Sequence, residues 1–273
     1  MNYADLHIHS SYSDGTMTPE EIIDNAINLG VRVISITDHD SIASQYVTNK
    51  NYENINIIPG IELSTEFENL ELHILGYFID VKDKELINVV NKLNKARIER
   101  VEEIILRLKK YDIYIDKEDL EIDSNSTIGR SHIAKAMVKK GYFENYKVAF
   151  TSYLVKGKPA YIKGYKLNYK KVIEVINNAG GIAVLAHPGQ IYKSLEIERI
   201  IRNLRSYGLN GIEVYHPSHT KEQTNNFYNL AKKYKLLVTG GSDFHGKGCL
   251  KENVIGSYGI NEKLLNKLIN LTK

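Results

Sequence analysis

The sequence predicts an α/β fold, a mainly parallel sheet or barrel carrying a helical insertion. Three observations predict it. Short apolar runs recur along the chain, and most are followed by a helical pattern. That rhythm stops between about Val81 and Gly164, where apolar residues fall at three- and four-residue spacing instead. Histidines and carboxylates recur just beyond the apolar runs, where the C-terminal ends of parallel strands converge on one mouth.

The first strand-like segment holds Asp5-Leu6-His7-Ile8-His9. A helix follows it, because Thr18 suits its N-cap, Pro19 its first position and Glu20 and Glu21 its positive end, while Gly30 suits its stop. Further strands are expected at Val31 to Ile36, Ile55 to Ile61, Leu70 to Phe78, Gly181 to Leu185, Gly211 to Tyr215 and Leu236 to Thr239. In the middle third, Leu86, Val89, Val90, Leu93, Val101, Ile104, Ile105 and Leu108 mark a long amphipathic helix. A second helix runs from near Ile128 through Ile133, Met137 and Val138 until Gly141 breaks it, and the α/β rhythm resumes at Leu167. Residues 1–80 with 165–273 therefore read as one unit and 81–164 as an insertion. The insertion serves either as a packing lid or as a contributor of substrate contacts.

Composition narrows the class. The 273 residues are 42% hydrophobic and 25% charged, enough to bury a full core. With 36 basic against 33 acidic residues the net charge is only +3, unlike a dedicated nucleic-acid binder, so an anionic partner must be gripped locally. The single cysteine, Cys249, rules out an intrachain disulfide framework. Neither a leader-like N-terminus nor an apolar run of membrane-spanning length is evident, and the expectation is a soluble cytoplasmic protein with no membrane partner.

His7 and His9 alternate with Leu6 and Ile8, so a period of two places both imidazoles on one face, an arrangement that suits a divalent metal. His39, Glu62, His187, Asp243 and His245 each follow an apolar run. His73 lies inside a strand and, taken alone, reads as a core histidine; Asp14, in Ser13-Asp14-Gly15, taken alone reads as a turn residue. Six of the nine histidines sit in strands or at strand ends near acidic residues, which argues for a metal cluster rather than separate structural roles.

These residues carry a family resemblance. The strings Asp5-Leu6-His7-Ile8-His9 with Ser13-Asp14-Gly15, Thr37-Asp38-His39, Gly60-Ile61-Glu62, Leu185-Ala186-His187-Pro188 and Gly241-Ser242-Asp243-Phe244-His245 resemble, in order and spacing, the motifs of the PHP (polymerase and histidinol phosphatase) family. Gly129-Arg130-Ser131-His132-Ile133-Ala134 is similar to the insertion of its small nucleotide-directed phosphoesterases. The resemblance implies a distorted (β/α)7 barrel and two or three divalent ions (Mn, Zn or Fe). It implies that His7, His9, Glu62 and Asp243 hold one ion, Glu62, His73 and His187 a second, and Asp14, His39 and His245 a third. Coordination positions would be left for water and substrate. The implied activity is a phosphatase or 5′–3′ exonuclease in which a metal-activated hydroxide attacks phosphorus.

Charge agrees with that chemistry, since three divalent ions exceed the charge of Asp14, Glu62 and Asp243 by about +3, which a phosphate dianion and a hydroxide would neutralise. Around the cluster, Asp38 is expected to orient an imidazole and Arg130 to clasp a phosphate beside free backbone N–H groups. His216 and His219 are expected to bind phosphate or protonate the leaving oxygen, and His132 to be structural. Tyr192 or Tyr215 offers a base-stacking surface. The expected substrate is a phosphorylated small molecule or a short oligonucleotide end, not a long duplex. Histidinol-phosphate phosphatase and a non-enzymatic metal-binding module are the alternatives; the Arg130 segment opposes the first and the full ligand set the second.

Overall fold

The computed structural model describes residues 3–48, 50, 52–120, 126–191, 196–246 and 253–271; Tyr192 and Cys249 lie outside them. In chain order the elements are β1 (Ala4–Ile8), α1 (Pro19–Asn28), β2 (Val33–Ile36), α2 (Ala43–Thr48), β3 (Asn56–Ile57), β4 (Gly60–Phe67), β5 (Leu70–Tyr77) and α3 (Lys84–Leu108). There follow α4 (Arg130–Lys139), α5 (Tyr146–Tyr153), β6 (Leu167–Asn168), α6 (Tyr169–Asn178), β7 (Ile182–Leu185), α7 (Ile197–Ser206), β8 (Gly211–Tyr215), α8 (Lys221–Lys233), β9 (Leu237–Gly240) and α9 (Glu262–Ile269).

The strands form two sheets, a parallel β1-β2-β3 and a mixed β6-β4-β5-β7-β8-β9. Backbone contacts link the sheets at both seams: Ile8 bridges Phe244, just past β9, and His39, just past β2, bridges Glu62 in β4. Within the larger sheet β5 runs antiparallel to both β4 and β7. The reason is a two-residue hairpin between the paired Phe67 and Leu70, in which Glu68 and Asn69 both take positive φ (47° and 66°). Glu is a poor residue for that conformation, so the local residue pattern carries little sign of a reversal there. The expected strand from Ile55 to Ile61 is also divided: β3 ends at Ile57, and β4 begins at Gly60 and continues through Phe67.

Alternation along the strands separates the cores. Ile61, Leu63, Ile74, Ala183, Leu185, Ile212 and Val214 pack against helices that include α6 and α7, whereas Leu75, Tyr77, Ile182 and Val184 join Ala4, Leu6 and Val33 in a cluster capped by Leu265 and Leu268 of α9. Helix α1 starts as its sequence requires: Thr18 and Glu21 exchange hydrogen bonds in a capping box, with Pro19 first. Helix α3 straddles two cores. Its Leu86, Val89, Val90 and Leu93 pack on the sheet, and Val101, Ile104, Ile105 and Leu108 pack with α4, α5 and the segment after them. Packing therefore does not change at residue 81 but midway along this helix. Among the described residues no helix is long and apolar enough to cross a membrane.

Candidate metal centre

Strand β1 delivers the first two imidazoles, though not by strict alternation. Its pairing with β2 shifts register between Asp5 and Ile8, and Leu6 and Ile8 pack into different cores. His7 and His9 nonetheless converge, with their Nε2 atoms 3.1 Å apart. Gly241 permits this approach, because a Cβ there would lie 2.4 Å from the backbone nitrogen and Cβ of His7. Gly15 plays the same part in the loop carrying Asp14, where a Cβ would lie 2.4 Å from the carbonyl oxygen of His9.

Glu62 stands at the middle of the cluster and is fully buried. It is the third residue of β4 rather than a residue past a strand end. Its Oε1 lies 3.0 Å from His73 Nδ1 and 2.9 Å from His187 Nε2. Its Oε2 lies 2.8 Å from His39 Nδ1, 3.4 Å from His9 Nε2 and 3.5 Å from His7 Nε2. Because β5 is antiparallel, His73 reaches the site from within its strand, opposite Ser64 on the face that carries Glu62. Asp243 Oδ1 lies 3.3 Å from His9 Nε2, and Asp14 Oδ1 lies 3.2 Å from His245 Nε2. His187 and Asp243 both occupy positive φ (26° and 51°), strain of the kind found where structure holds a functional side chain in place.

A cleft of about 320 Å³, at the small end of ligand-site sizes, opens beside this cluster. Asp14, His39, His73, His187, Asp243 and His245 line it together with Arg97, Arg100, Arg130, Lys135, Tyr146 and Phe150 of the insertion.

The PHP domain model matches residues 5–206, across most of this site. The chain belongs to the PHP domain family. It is 31% identical over 253 residues to the 5′-3′ exoribonuclease Rnm of Escherichia coli, covering 89% of this chain and 86% of that one. It is 32% identical over 250 residues to the 3′,5′-nucleoside bisphosphate phosphatase of Chromobacterium violaceum, covering 89% and 87%. A protein described as a metal-dependent phosphoesterase from Bifidobacterium adolescentis superposes with a TM-score of 0.91 at 28% identity, covering 98% and 96%. The chain is thus a PHP-family metal-dependent phosphoesterase.

The PHP cluster suits metal ions by its own chemistry. His9 Nδ1, Asp14 Oδ1, His39 Nδ1 and Glu62 Oε2 are buried and, although Glu62 Oε2 lies close to His39 Nδ1 and Asp14 Oδ1 close to His245 Nε2, none makes a hydrogen bond of good angle among the described residues, a costly arrangement unless a cation satisfies them. Donor atoms gather within 4.8 Å of one another in overlapping groups: His9, Asp14, His39 and His245; His7, His9 and Asp243; His7, Glu62 and His187; His39, Glu62 and His73. Burial works against ionised carboxylates here, but it is outweighed. His39, His73 and His7 hold Glu62 well below the usual range, His245 and His39 do so for Asp14, and His245 and His7 for Asp243. Burial, with His245 and His39 beside it, lowers His9 to about 3, whereas nearby carboxylates raise His7 well above its ordinary range and His73 and His245 to about 9, so an ion binding there would displace protons.

Other expected site residues fall differently. Asp38 orients no imidazole: its Oδ1 accepts from Ser10 N–H (2.7 Å) and Ser13 Oγ (2.6 Å), its Oδ2 from Ser10 Oγ (2.7 Å), so it braces the loop leading to Asp14. His219 has both ring nitrogens engaged by backbone, Nδ1 with Val214 O at 2.9 Å and Nε2 accepting from Gly189 N–H at 3.1 Å, and its ring packs on Phe227. His216 is buried behind Asp243, with Nε2 3.2 Å from Asp243 Oδ2 and Nδ1 accepting from Ser218 N–H, and does not itself line the cleft. Neither histidine is placed to meet substrate. Tyr215 packs against the cores instead of lining the cleft. His132 lines the cleft, its Nδ1 accepting from Gly129 N–H at the start of α4. Arg130 does line the cleft; its Nη1 donates to Leu154 O (3.1 Å), and its guanidinium lies near Phe150 and Tyr161.

Sequence reasoning missed Glu213, a buried carboxylate in β8 whose oxygens meet His7 Nδ1 and the backbone N–H of His187. A signal was present, since Glu213 interrupts the apolar run from Gly211 to Tyr215. An acidic residue inside an otherwise buried strand calls for a partner.

Proposed function

We propose that this phosphoesterase hydrolyses phosphate esters of nucleotides or of short oligonucleotide 5′ ends in the cytoplasm. The observation that carries the reading is a single cleft lined both by histidines and carboxylates of the cluster and by Arg100, Arg130 and Lys135. Neither Arg100 nor Arg130 has a carboxylate partner among the described ion pairs. Burial, with Arg130 and Arg97 nearby and Glu71 opposing them, lowers Arg100 to about 10.

Two or three divalent ions are proposed for the site: one at His7, His9, Glu62 and Asp243, one at Glu62, His73 and His187, and one at Asp14, His39 and His245. Mn, Zn and Fe all suit this donor set. When bound, such ions lower the pKa of coordinated water and offset charge on the attacking and leaving oxygens. The chain's own residues then select and orient the ester. Arg130, at the first position of α4, and the N–H groups opening that helix grip a phosphate beside the cluster. Arg100, from α3, faces the same anion. In this reading residues 81–164 act as an insertion that supplies substrate contacts, while 1–80 and 165–273 supply the ligands. A small cleft and a net charge of +3 offer little to a long duplex.

The test is kcat/KM on metal-loaded protein for a nucleoside bisphosphate, its monophosphate, a short 5′-phosphorylated RNA, a long duplex and histidinol phosphate. Substrates with two neighbouring phosphates should lead, and the duplex should trail. Highest efficiency on histidinol phosphate would overturn the substrate class, and no phosphate release from any of them with metals bound would overturn the reading altogether.

A further inference from the structure

We infer that Glu213 is a positioning residue that sets the aim of two imidazoles onto Glu62. The inference rests on the proposed metal ligands and adds a residue outside them. Alternation along β8 sends Ile212 and Val214 into the helix-facing core and leaves Glu213 on the other face, fully buried. Both of its oxygens are used. Oε1 is 2.9 Å from His7 Nδ1, and Oε2 accepts the backbone N–H of His187 at 2.7 Å.

Each contact fixes something that the site needs. Accepting from Nδ1–H of His7 selects one tautomer, which leaves the Nε2 lone pair directed at His9 Nε2, Glu62 Oε2 and Asp243 Oδ1. The bond to His187 N–H holds a residue that sits at φ 26° and ψ 59°, backbone that a non-glycine residue adopts only uncommonly. In that conformation His187 Nε2 lies 2.9 Å from Glu62 Oε1. One carboxylate thereby holds His7 and His187, which meet the two different oxygens of Glu62. Asp14, His39 and His245 make no direct contact with Glu213 among the described hydrogen bonds.

That asymmetry provides the test. In Glu213→Gln the side chain keeps its size, but only one atom still accepts, so one of the two contacts is lost or reversed. Titration of metal-free protein with Zn2+ in the presence of a competing chelator should show tight sites in the wild type. In Glu213→Gln some of those sites should weaken by roughly 10–100-fold, the usual effect of losing an outer partner of a metal-bound histidine, while at least one keeps its wild-type affinity. The melting temperature of the metal-free forms should match. Equal affinity at every site overturns the inference. So does uniform weakening with a lowered metal-free melting temperature, which would make Glu213 merely structural. A wild type that binds no Zn2+ would fault the metal reading itself, a separate failure. If Glu213→Gln does not fold, the nitrogen–proton NMR spectrum of histidine-labelled, Zn-loaded wild type decides: the His7 signal, assigned by its loss in His7→Gln, should be the Nδ1–H tautomer, and an Nε2–H tautomer overturns the inference.

Discussion

Removing Arg97 should destabilise the protein through a carboxylate it leaves behind. Asp40 is 1% exposed; its Oδ1 accepts from Ser64 N–H at 2.7 Å and its Oδ2 from Arg97 Nε at 2.7 Å and Nη2 at 2.5 Å. Arg97 comes from α3, so this ion pair ties the long helix to the loop after His39. Arg97→Ala leaves a buried charge with one backbone donor, a loss of about 3–5 kcal/mol. For 273 residues the unfolding entropy is about 0.6 kcal/mol per kelvin, so the melting temperature of the metal-free protein should fall by about 5–9 °C. In an Asp40→Asn background the same substitution leaves no charge stranded and should be much milder, a coupling of at least about 2 kcal/mol. Burial pushes the Asp40 pKa up, but Arg97 and Ser64 N–H outweigh it and hold the carboxyl below its ordinary range. The folded pKa is depressed, so the contribution is present above about pH 4 and lost as pH falls through the folded value. Calorimetry of the four proteins at neutral pH makes the check. Additive effects within about 0.5 kcal/mol would refute the reasoning.

Arg130→Ala should retain wild-type metal content while kcat/KM for a nucleoside bisphosphate falls by about 10–100-fold, as expected for a lost charge-assisted phosphate contact; unchanged kinetics would return Arg130 to a packing role. His132 tests a pH effect. Burial lowers its pKa from 6.5 to about 4, so the unfolded chain binds more protons between those values and stability declines as pH drops from 7 towards 4, by up to roughly 2–3 kcal/mol. In His132→Asn the amide oxygen can still accept from Gly129 N–H without gaining a proton, and urea denaturation at pH 7 and pH 4.5 should show a smaller loss than in wild type. Equal losses would exclude His132 as the source.

Much of the fold was legible because local chemistry and tertiary environment agree. Thr18, Pro19 and Glu21 mark the start of α1 without reference to anything distant. The apolar spacing of α3 reports a buried stripe whichever core it meets. Legibility failed where two readings share one local pattern. Asp38 and Asp40 flank His39 and look equivalent in sequence, yet one takes hydroxyl and backbone donors near Ser10 and the other an arginine 57 positions away. His216 and His219 follow a strand just as His187 does, but a strand end says nothing of which way the loop turns. His219 turns back onto Val214 and Phe227.

By itself the sequence determined the chemical types available and their order along the chain: which histidines and carboxylates could ligate, where strands and helices alternate, and the glycines at positions 15 and 241 that close approach demands. Those follow from steric and solvation preferences that act within a few residues. Only the tertiary structure decided which polar atoms are shared. Glu62 touches five histidines drawn from β1, β5 and three loops, and Glu213 reaches back 206 positions to His7. Buried charges take whichever partner the packed strands bring within about 3 Å, since in a low-dielectric interior an unpaired charge costs more than any local preference can offset.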